Sequence, residues 1–195
     1  MIFQNRREAG RLLGKKLRAL GLGEYPFVLA LPRGGVPVAF EIALQLDAPL
    51  DVFVVRKLGV PGHEELAMGA IATGGIRVLD NDIIRTLRIP PEVIDAVADR
   101  EEQELLRRER VFRHGNAPQD LQDRVIILVD DGLATGSTML AAVRAARSAG
   151  AANVLVAVPV ASRSAVQKVR PTTLATLSVS RAASGSRSRR ASRMP

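Results

Sequence analysis

The stretch Val125-Ile126-Ile127-Leu128-Val129-Asp130-Asp131-Gly132-Leu133-Ala134-Thr135-Gly136-Ser137-Thr138 sets five apolar residues directly before two adjacent carboxylates and follows them with a run of small residues. An unbroken apolar run of this kind reads as a strand covered on both faces, as in a parallel sheet. Gly132 and Gly136 let the backbone turn tightly, so successive N–H groups can point into one concavity. From Thr138 to Ser148 the spacing predicts a helix, closed by Gly150. Its N-terminus adds partial positive charge, and Thr135, Ser137 and Thr138 add hydroxyl donors. Those features describe a phosphate site, although the Gly-Lys pair of a nucleotide P-loop is absent. Asp130 and Asp131 are poor phosphate ligands. They are good acceptors for a sugar diol and good partners for hydrated Mg2+. The stretch therefore calls for a ligand with both hydroxyls and phosphate.

Working outward, the strand-like run Tyr25–Leu31 stops at Pro32-Arg33-Gly34-Gly35, and helical periodicity resumes from Val36 to Leu46. Asp51–Val55 predicts a second strand ending at Arg56-Lys57. The following Leu58–Ala67 holds two glycines and a proline and reads as a mobile loop. A short strand is expected at Ile76–Leu79 and another at Val154–Val160. Arg6–Leu20 has helical spacing, and Pro90-Pro91 opens a long charged helix, Glu92–Arg113, laced with i,i+4 pairs of opposite charge. Alternating strands and helices predict an α/β domain with a mainly parallel sheet flanked by helices. Ligands of such sheets bind at the carboxyl ends of strands. Three strand ends here, LPRGG, VVRKLG and VDDGLATGST, carry polar glycine-containing sequence.

The chain of 195 residues has five Phe, one Tyr and no Trp, so its core must be built from Val, Leu, Ile and Ala. It has no cysteine, which excludes disulfides and thiolate metal sites, and two histidines cannot alone make a zinc site. No apolar run approaches the roughly 18 residues of a membrane span, and the first residues lack a signal-peptide core. A soluble, cytoplasmic protein without a membrane partner is expected. The net charge of +8 is unevenly spread: all 20 acidic residues precede Gly132, and ten basic residues follow it. The end, Thr172–Pro195, is rich in Ser, Arg and Ala and has no acid or aromatic. Residues 171–195 are expected to be a disordered basic tail beside a domain over 1–170. Such a tail could bind nucleic acid through phosphate contacts.

The segment Ile126–Thr138 resembles the signature of the type I phosphoribosyltransferases: an apolar strand, two acids, and a small-residue loop ending in Thr-Gly-Ser/Thr. The resemblance extends over about Arg6–Ser162 and implies the substrate phosphoribosyl pyrophosphate, which has both the diol and the phosphates. It implies that Asp130 and Asp131 hold the ribose 2- and 3-hydroxyls, and Mg2+ indirectly through those hydroxyls or water. Ala134, Thr135, Gly136, Ser137 and Thr138 would wrap the 5-phosphate. Arg33-Gly34-Gly35 resembles the pyrophosphate loop, where a strained peptide exposes N–H groups. Arg56-Lys57 and the loop after them resemble the catalytic lid, so Arg33, Arg56 and Lys57 are the residues expected to stabilise the leaving group. The implied activity is transfer of the phosphoribosyl group to an unidentified nitrogenous base with release of pyrophosphate, in a chain that can act as a homodimer.

Two departures stand out. The 6-oxopurine enzymes of the family carry an acid directly before Thr-Gly, and here that position is Ala134, which disfavours a 6-oxopurine acceptor. The tail also lacks the acids and aromatics with which related chains continue, so the hood over the base is expected to be atypical or incomplete. A changed reading frame after about Arg170 or a basic nucleic-acid-binding tail would each explain this. The second leaves open a non-catalytic regulator that senses phosphoribosyl pyrophosphate or a nucleotide and binds nucleic acid.

Overall fold

The computed structural model describes residues 3–22, 26–113 and 115–181. The run that ends in the two acids is β6 (Val125–Val129), the middle strand of a five-stranded parallel sheet. It is flanked by β1 (Phe27–Ala30) and β2 (Leu50–Val52) on one side, and by β7 (Asn153–Ala161) and β8 (Ala175–Arg181) on the other. Its side chains alternate between two cores. Ile126 and Leu128 face helix α5 (Ser137–Ser148), meeting Ala142, Val143 and Ala146. Ile127 and Val129 face α1 (Arg6–Arg18) and α2 (Gly35–Leu46), meeting Leu13, Leu17, Val38 and Ile42. All four are fully buried, each contributing roughly 1.5–3 kcal/mol of apolar burial. An apolar run without alternation is what a strand between two helical layers requires.

Helix α1 opens at Asn5, whose side chain accepts from the Glu8 N–H at 2.9 Å. It lies unusually close to α2. A Cβ on Gly10 would sit 2.6 Å from the Val38 carbonyl oxygen, and one on Gly14 would sit 2.7 Å from Gln45 Cβ. Glycines four apart therefore remove a ridge from α1 and let the two backbones approach.

Between β2 and β6 the chain leaves the parallel sheet. The expected strand Asp51–Val55 is split: β2 ends at Val52, and buried Phe53 and Val54 carry the chain across to β3 (Val55–Val60), which contains Arg56 and Lys57 instead of stopping before them. Phe53 joins the α5 core and Val54 a third core under α4 (Pro91–Arg113), which fixes the crossing. The segment read as a loop, Leu58–Ala67, is a hairpin. Strand β3 pairs antiparallel with β4 (His63–Ala72) across Pro61-Gly62, and β5 (Ile76–Leu79) completes the three-stranded sheet. Gly62 adopts φ +78°, the left-handed conformation that a tight turn needs. Leu58 and Val60 alternate into the α4 core, and that period-2 pattern outweighs the Gly/Pro content.

A short helix α3 (Asn81–Leu87), capped by the Asp80 side chain on the Ile83 N–H at 3.3 Å, precedes α4. Helix α4 is tied at its end by Arg113, which is buried and donates to Asp51 Oδ1 and Oδ2 at 3.0 and 2.8 Å and to the carbonyls of Val52, Asn116 and Ala117. This anchors the helix beside the carboxyl end of β2. Helix α6 (Arg163–Val169) follows β7.

The tail expected to be unstructured from residue 171 differs in its first part. Residues 175–181 form β8, parallel to β7, with Ala175 and Leu177 packed against the α1–α2 core. Its composition cannot fold alone, but the open edge of β7 supplies the backbone partners. Residues 182–195 lie outside the described residues, and with them most of the basic run on which the nucleic-acid and hood expectations rest. Among the described residues no helix is long and apolar enough to cross a membrane.

Candidate active site

Strand β6 delivers Asp130 and Asp131 to its carboxyl end, where α1, the Pro32–Gly35 turn and the start of α5 converge. The Asp130 Oδ1 accepts the Asp131 N–H at 2.8 Å. Burial pushes the Asp130 carboxyl up from its ordinary 3.8 to about 7; the bond from the Asp131 N–H opposes this, and the neighbouring Asp131 charge adds to it. Asp131 is held differently. Its Oδ2 accepts both Nε and Nη2 of Arg6, at 3.0 and 2.7 Å. One acid is thus half-buried and pushed toward its neutral form, while the other is balanced by a guanidinium from the first turn of α1.

The segment between the acids and α5 is pinned from beneath. Leu133 is buried, its N–H donates to the Val160 carbonyl at 2.9 Å, and its carbonyl accepts the Ser162 N–H at 2.9 Å. Ser162 Oγ donates to the Ala134 carbonyl at 2.6 Å while capping α6 through the Ala165 N–H. With the Leu133 and Ala134 carbonyls engaged, the loop leaves the N–H groups of Ala134, Thr135 and Gly136 without a protein acceptor among the described residues. Gly136 caps α5 at φ +74°, and a Cβ there would crowd the Ala165 backbone at 3.2 Å. Ser137 Oγ accepts from Lys168 Nζ of α6 at 2.8 Å, and Thr138 is exposed on the first turn of α5. Unpaired amides at a helix N-terminus with an adjacent ammonium make an anion cradle.

The Pro32–Gly35 turn reaches the same corner. The Pro32–Arg33 peptide is cis. Leu31 N–H donates to the Val129 carbonyl at 2.8 Å and the Gly35 N–H to the Leu31 carbonyl at 3.1 Å, which leaves the Arg33 and Gly34 N–H groups without acceptors among the described residues. A Cβ on Gly34 would overlap the Asp131 carboxylate, and one on Gly35 would sit 2.5 Å from the Val129 carbonyl oxygen. Both glycines serve close approach here, since Gly34 itself has an ordinary φ of −62°.

The structure thus brings Asp130, Asp131, Gly34, Gly35 and Ala134–Thr138 to one corner, while Arg56 and Lys57 lie on strand β3 with other partners. On strand β3 the two point to opposite faces. Arg56 turns to α4, with Nε and Nη2 on Glu101 Oε2 at 2.8 and 2.5 Å. Lys57 faces the other way, 3.8 Å from the fully exposed Glu65 carboxylate. No hydrogen bond or ion pair joins either one to the acid pair among the described residues.

Arg6, Ser162 and Lys168 were not singled out from the sequence. Ser162 carries a local signal, a serine between a strand and a helix. Arg6 carries none, because its partner is 125 residues away.

The phosphoribosyl transferase domain family matches residues 1–180. A Mycobacterium tuberculosis protein provisionally named a phosphoribosyl transferase is 50% identical over 159 residues, 82% of this chain and 36% of that protein, so the chain spans about a third of its curated relative. The crystal structure of TT1426 from Thermus thermophilus is similar with a TM-score of 0.84 and 41% identity, covering 92% of this chain and 86% of that one. The purine phosphoribosyltransferase of Pyrococcus horikoshii shares the fold at a TM-score of 0.52 and 18% identity, over 93% of this chain and 86% of that one.

Proposed function

The chain belongs to the phosphoribosyl transferase domain family, and from that premise we propose that it is a Mg2+-dependent phosphoribosyltransferase. It would use phosphoribosyl pyrophosphate and pass the phosphoribosyl group to a nitrogenous base, releasing pyrophosphate. The observation that carries this reading is the meeting, at one strand-to-helix corner, of two carboxylates with the free amides of Ala134, Thr135 and Gly136. Carboxylates accept the two hydroxyls of a ribose diol, and donor amides beside the Ser137 and Thr138 hydroxyls suit a phosphate. The short spacing along the chain between the acids and the amides suits a sugar and a phosphate that adjoin each other.

In the reaction the C1–oxygen bond to the diphosphate breaks, its electron pair leaving with the diphosphate, and a nitrogen of the base forms the new bond to C1 and sheds its proton. Positive charge grows on the ribose ring, near the Asp130 and Asp131 carboxylates, and negative charge on the leaving group, near Arg33 and the free Arg33 and Gly34 amides. Both are electrostatically favoured by groups already in place. Arg56 and Lys57 remain candidates for the leaving group, acting after Arg56 exchanges Glu101 for it. Ala134 stands where an acid would serve a 6-oxopurine, so the reading favours another base.

The two acids fit a hydrated cation. No group of three or more potential ligand side chains gathers among the described residues, and Mg2+ commonly binds through one or two carboxylates, waters and substrate oxygens. Asp130 and Asp131 would hold it through water or the ribose hydroxyls, and when bound it would neutralise charge on the diphosphate.

The test is Mg2+-dependent pyrophosphate release from phosphoribosyl pyrophosphate against a panel of bases, with calorimetry on Asp130→Asn combined with Asp131→Asn. Release with one base, and sugar-phosphate affinity lowered at least about tenfold in the double variant, a difference of about 1.4 kcal/mol, are expected. Unchanged affinity in the double variant would refute the assignment.

A further inference from the structure

Outside the acid corner, one hollow gathers like charge. A cavity of about 180 Å3 is lined by Pro32, Arg33, Arg107, Arg108, Val111 and Phe112. Its three arginines come from two separate elements, the turn after β1 and the last third of α4. A single carboxylate serves two of them: Glu104 takes Arg107 in a fork, Nε at 2.7 Å and Nη2 at 2.9 Å, and Arg108 through Nε at 2.8 Å. Those two guanidiniums hold the Glu104 carboxyl down at about 2, so it stays ionised. Arg33 has no carboxylate partner among the described residues. Each guanidinium has five N–H donors. Among the described residues the Arg107 Nη1 and both terminal nitrogens of Arg108 therefore have no partner, and Glu104 aligns both side chains. Three cations against one anion leave the hollow with net positive charge. Val111 and Phe112 supply an apolar wall beside the guanidiniums. The buried Arg113–Asp51 pair, one residue beyond Phe112, fixes where α4 presents this wall. Gly34, next to Arg33, lies against the Asp131 carboxylate. The hollow and the acid corner are thus the two sides of one tight turn.

We propose that Arg107 and Arg108 of α4 complete, with Arg33, an anion subsite that takes the outer phosphate of a diphosphate. The inference rests on the phosphoribosyltransferase reading for its substrate and deepens it by adding residues of α4 to the leaving-group end. Forked guanidiniums suit two neighbouring phosphate oxygens, so a diphosphate is retained better than a monophosphate.

The test is calorimetry at fixed ionic strength with inorganic pyrophosphate and, separately, with ribose 5-phosphate. The variants are Arg107→Ala with Arg108→Ala, and as a control Arg85→Ala with Arg88→Ala, which removes the same charge at the end of α3. Charged hydrogen bonds of this kind are each worth roughly tenfold to a hundredfold in affinity. Pyrophosphate binding should weaken by at least about tenfold in the α4 variant, change less than about twofold in the control, and leave ribose 5-phosphate binding intact. Pyrophosphate affinity equal to that of the unaltered protein, or an equal loss in the control, overturns the subsite. Should the alanine variant fail to show a cooperative melt, Arg107→Lys with Arg108→Lys keeps the charge and loses the fork, and the same comparison applies with a smaller drop. Failure of the unaltered protein to bind pyrophosphate defeats the subsite. Failure to bind ribose 5-phosphate defeats the acid-corner reading instead.

Discussion

Replacing Asp130 with Asn should change how stability depends on pH. The Asp130 carboxyl, ordinarily near 3.8, is held at about 7 chiefly by burial. Between those two values the folded protein keeps a proton that the unfolded chain has released, so the native state binds more protons and stability falls as pH rises. The favourable contribution is complete below about 3.8 and gone above about 7. Three pH units at about 1.4 kcal/mol each set a ceiling of about 4 kcal/mol for the whole window. From pH 5 to pH 8 only the part up to 7 is crossed, at most about 2.7 kcal/mol, and since the side chain still meets solvent about half of that is expected. The amide that replaces the carboxyl cannot titrate, and every other group is common to both proteins. Urea unfolding of each protein at pH 5 and pH 8 should therefore show the stability of the unaltered protein, relative to Asp130→Asn, falling by about 1 to 2 kcal/mol over that interval. A relative stability constant within about 0.5 kcal/mol from pH 5 to pH 8, or rising with pH, would refute the reasoning.

Two other perturbations follow from the packing. Arg113→Ala removes a buried guanidinium that satisfies Asp51 and three carbonyls, and should lower stability by about 3–5 kcal/mol; a loss under about 1 kcal/mol by urea titration would contradict the clamp. Gly34→Ala places a methyl on the Asp131 carboxylate at a backbone conformation alanine tolerates, so ribose 5-phosphate affinity should fall about tenfold while the melting midpoint moves little, and retained affinity would show that the carboxylate can step aside.

The parallel sheet was legible because β6 and β7 are apolar without alternation and each meets a turn and a helix. The acid corner was legible for the same reason: its residues lie within one short stretch. The hairpin was misread because Gly59, Pro61 and Gly62 carry loop composition, while the alternation of Leu58 and Val60 that makes a strand becomes decisive only with α4 beneath it. The small-residue strand β8 has no periodicity strong enough to declare it, and forms because β7 offers an open edge. Arg6 on Asp131, and Arg107 and Arg108 beside Arg33, join segments far apart in the chain, and nothing local in the sequence announces them.

The two glycines that seat α1 against α2 reach further than helix packing. Through them the opening turn of the molecule acts as a rigid strut whose tip is the Arg6 guanidinium, so the counter-charge on Asp131 is set by a fit made more than a full helical turn away. Bulk added at Gly10 would tilt that strut and strip Asp131 of its cation without touching any residue that meets a ligand. The charge balance of the pocket is in this sense governed from the outer layer of the fold.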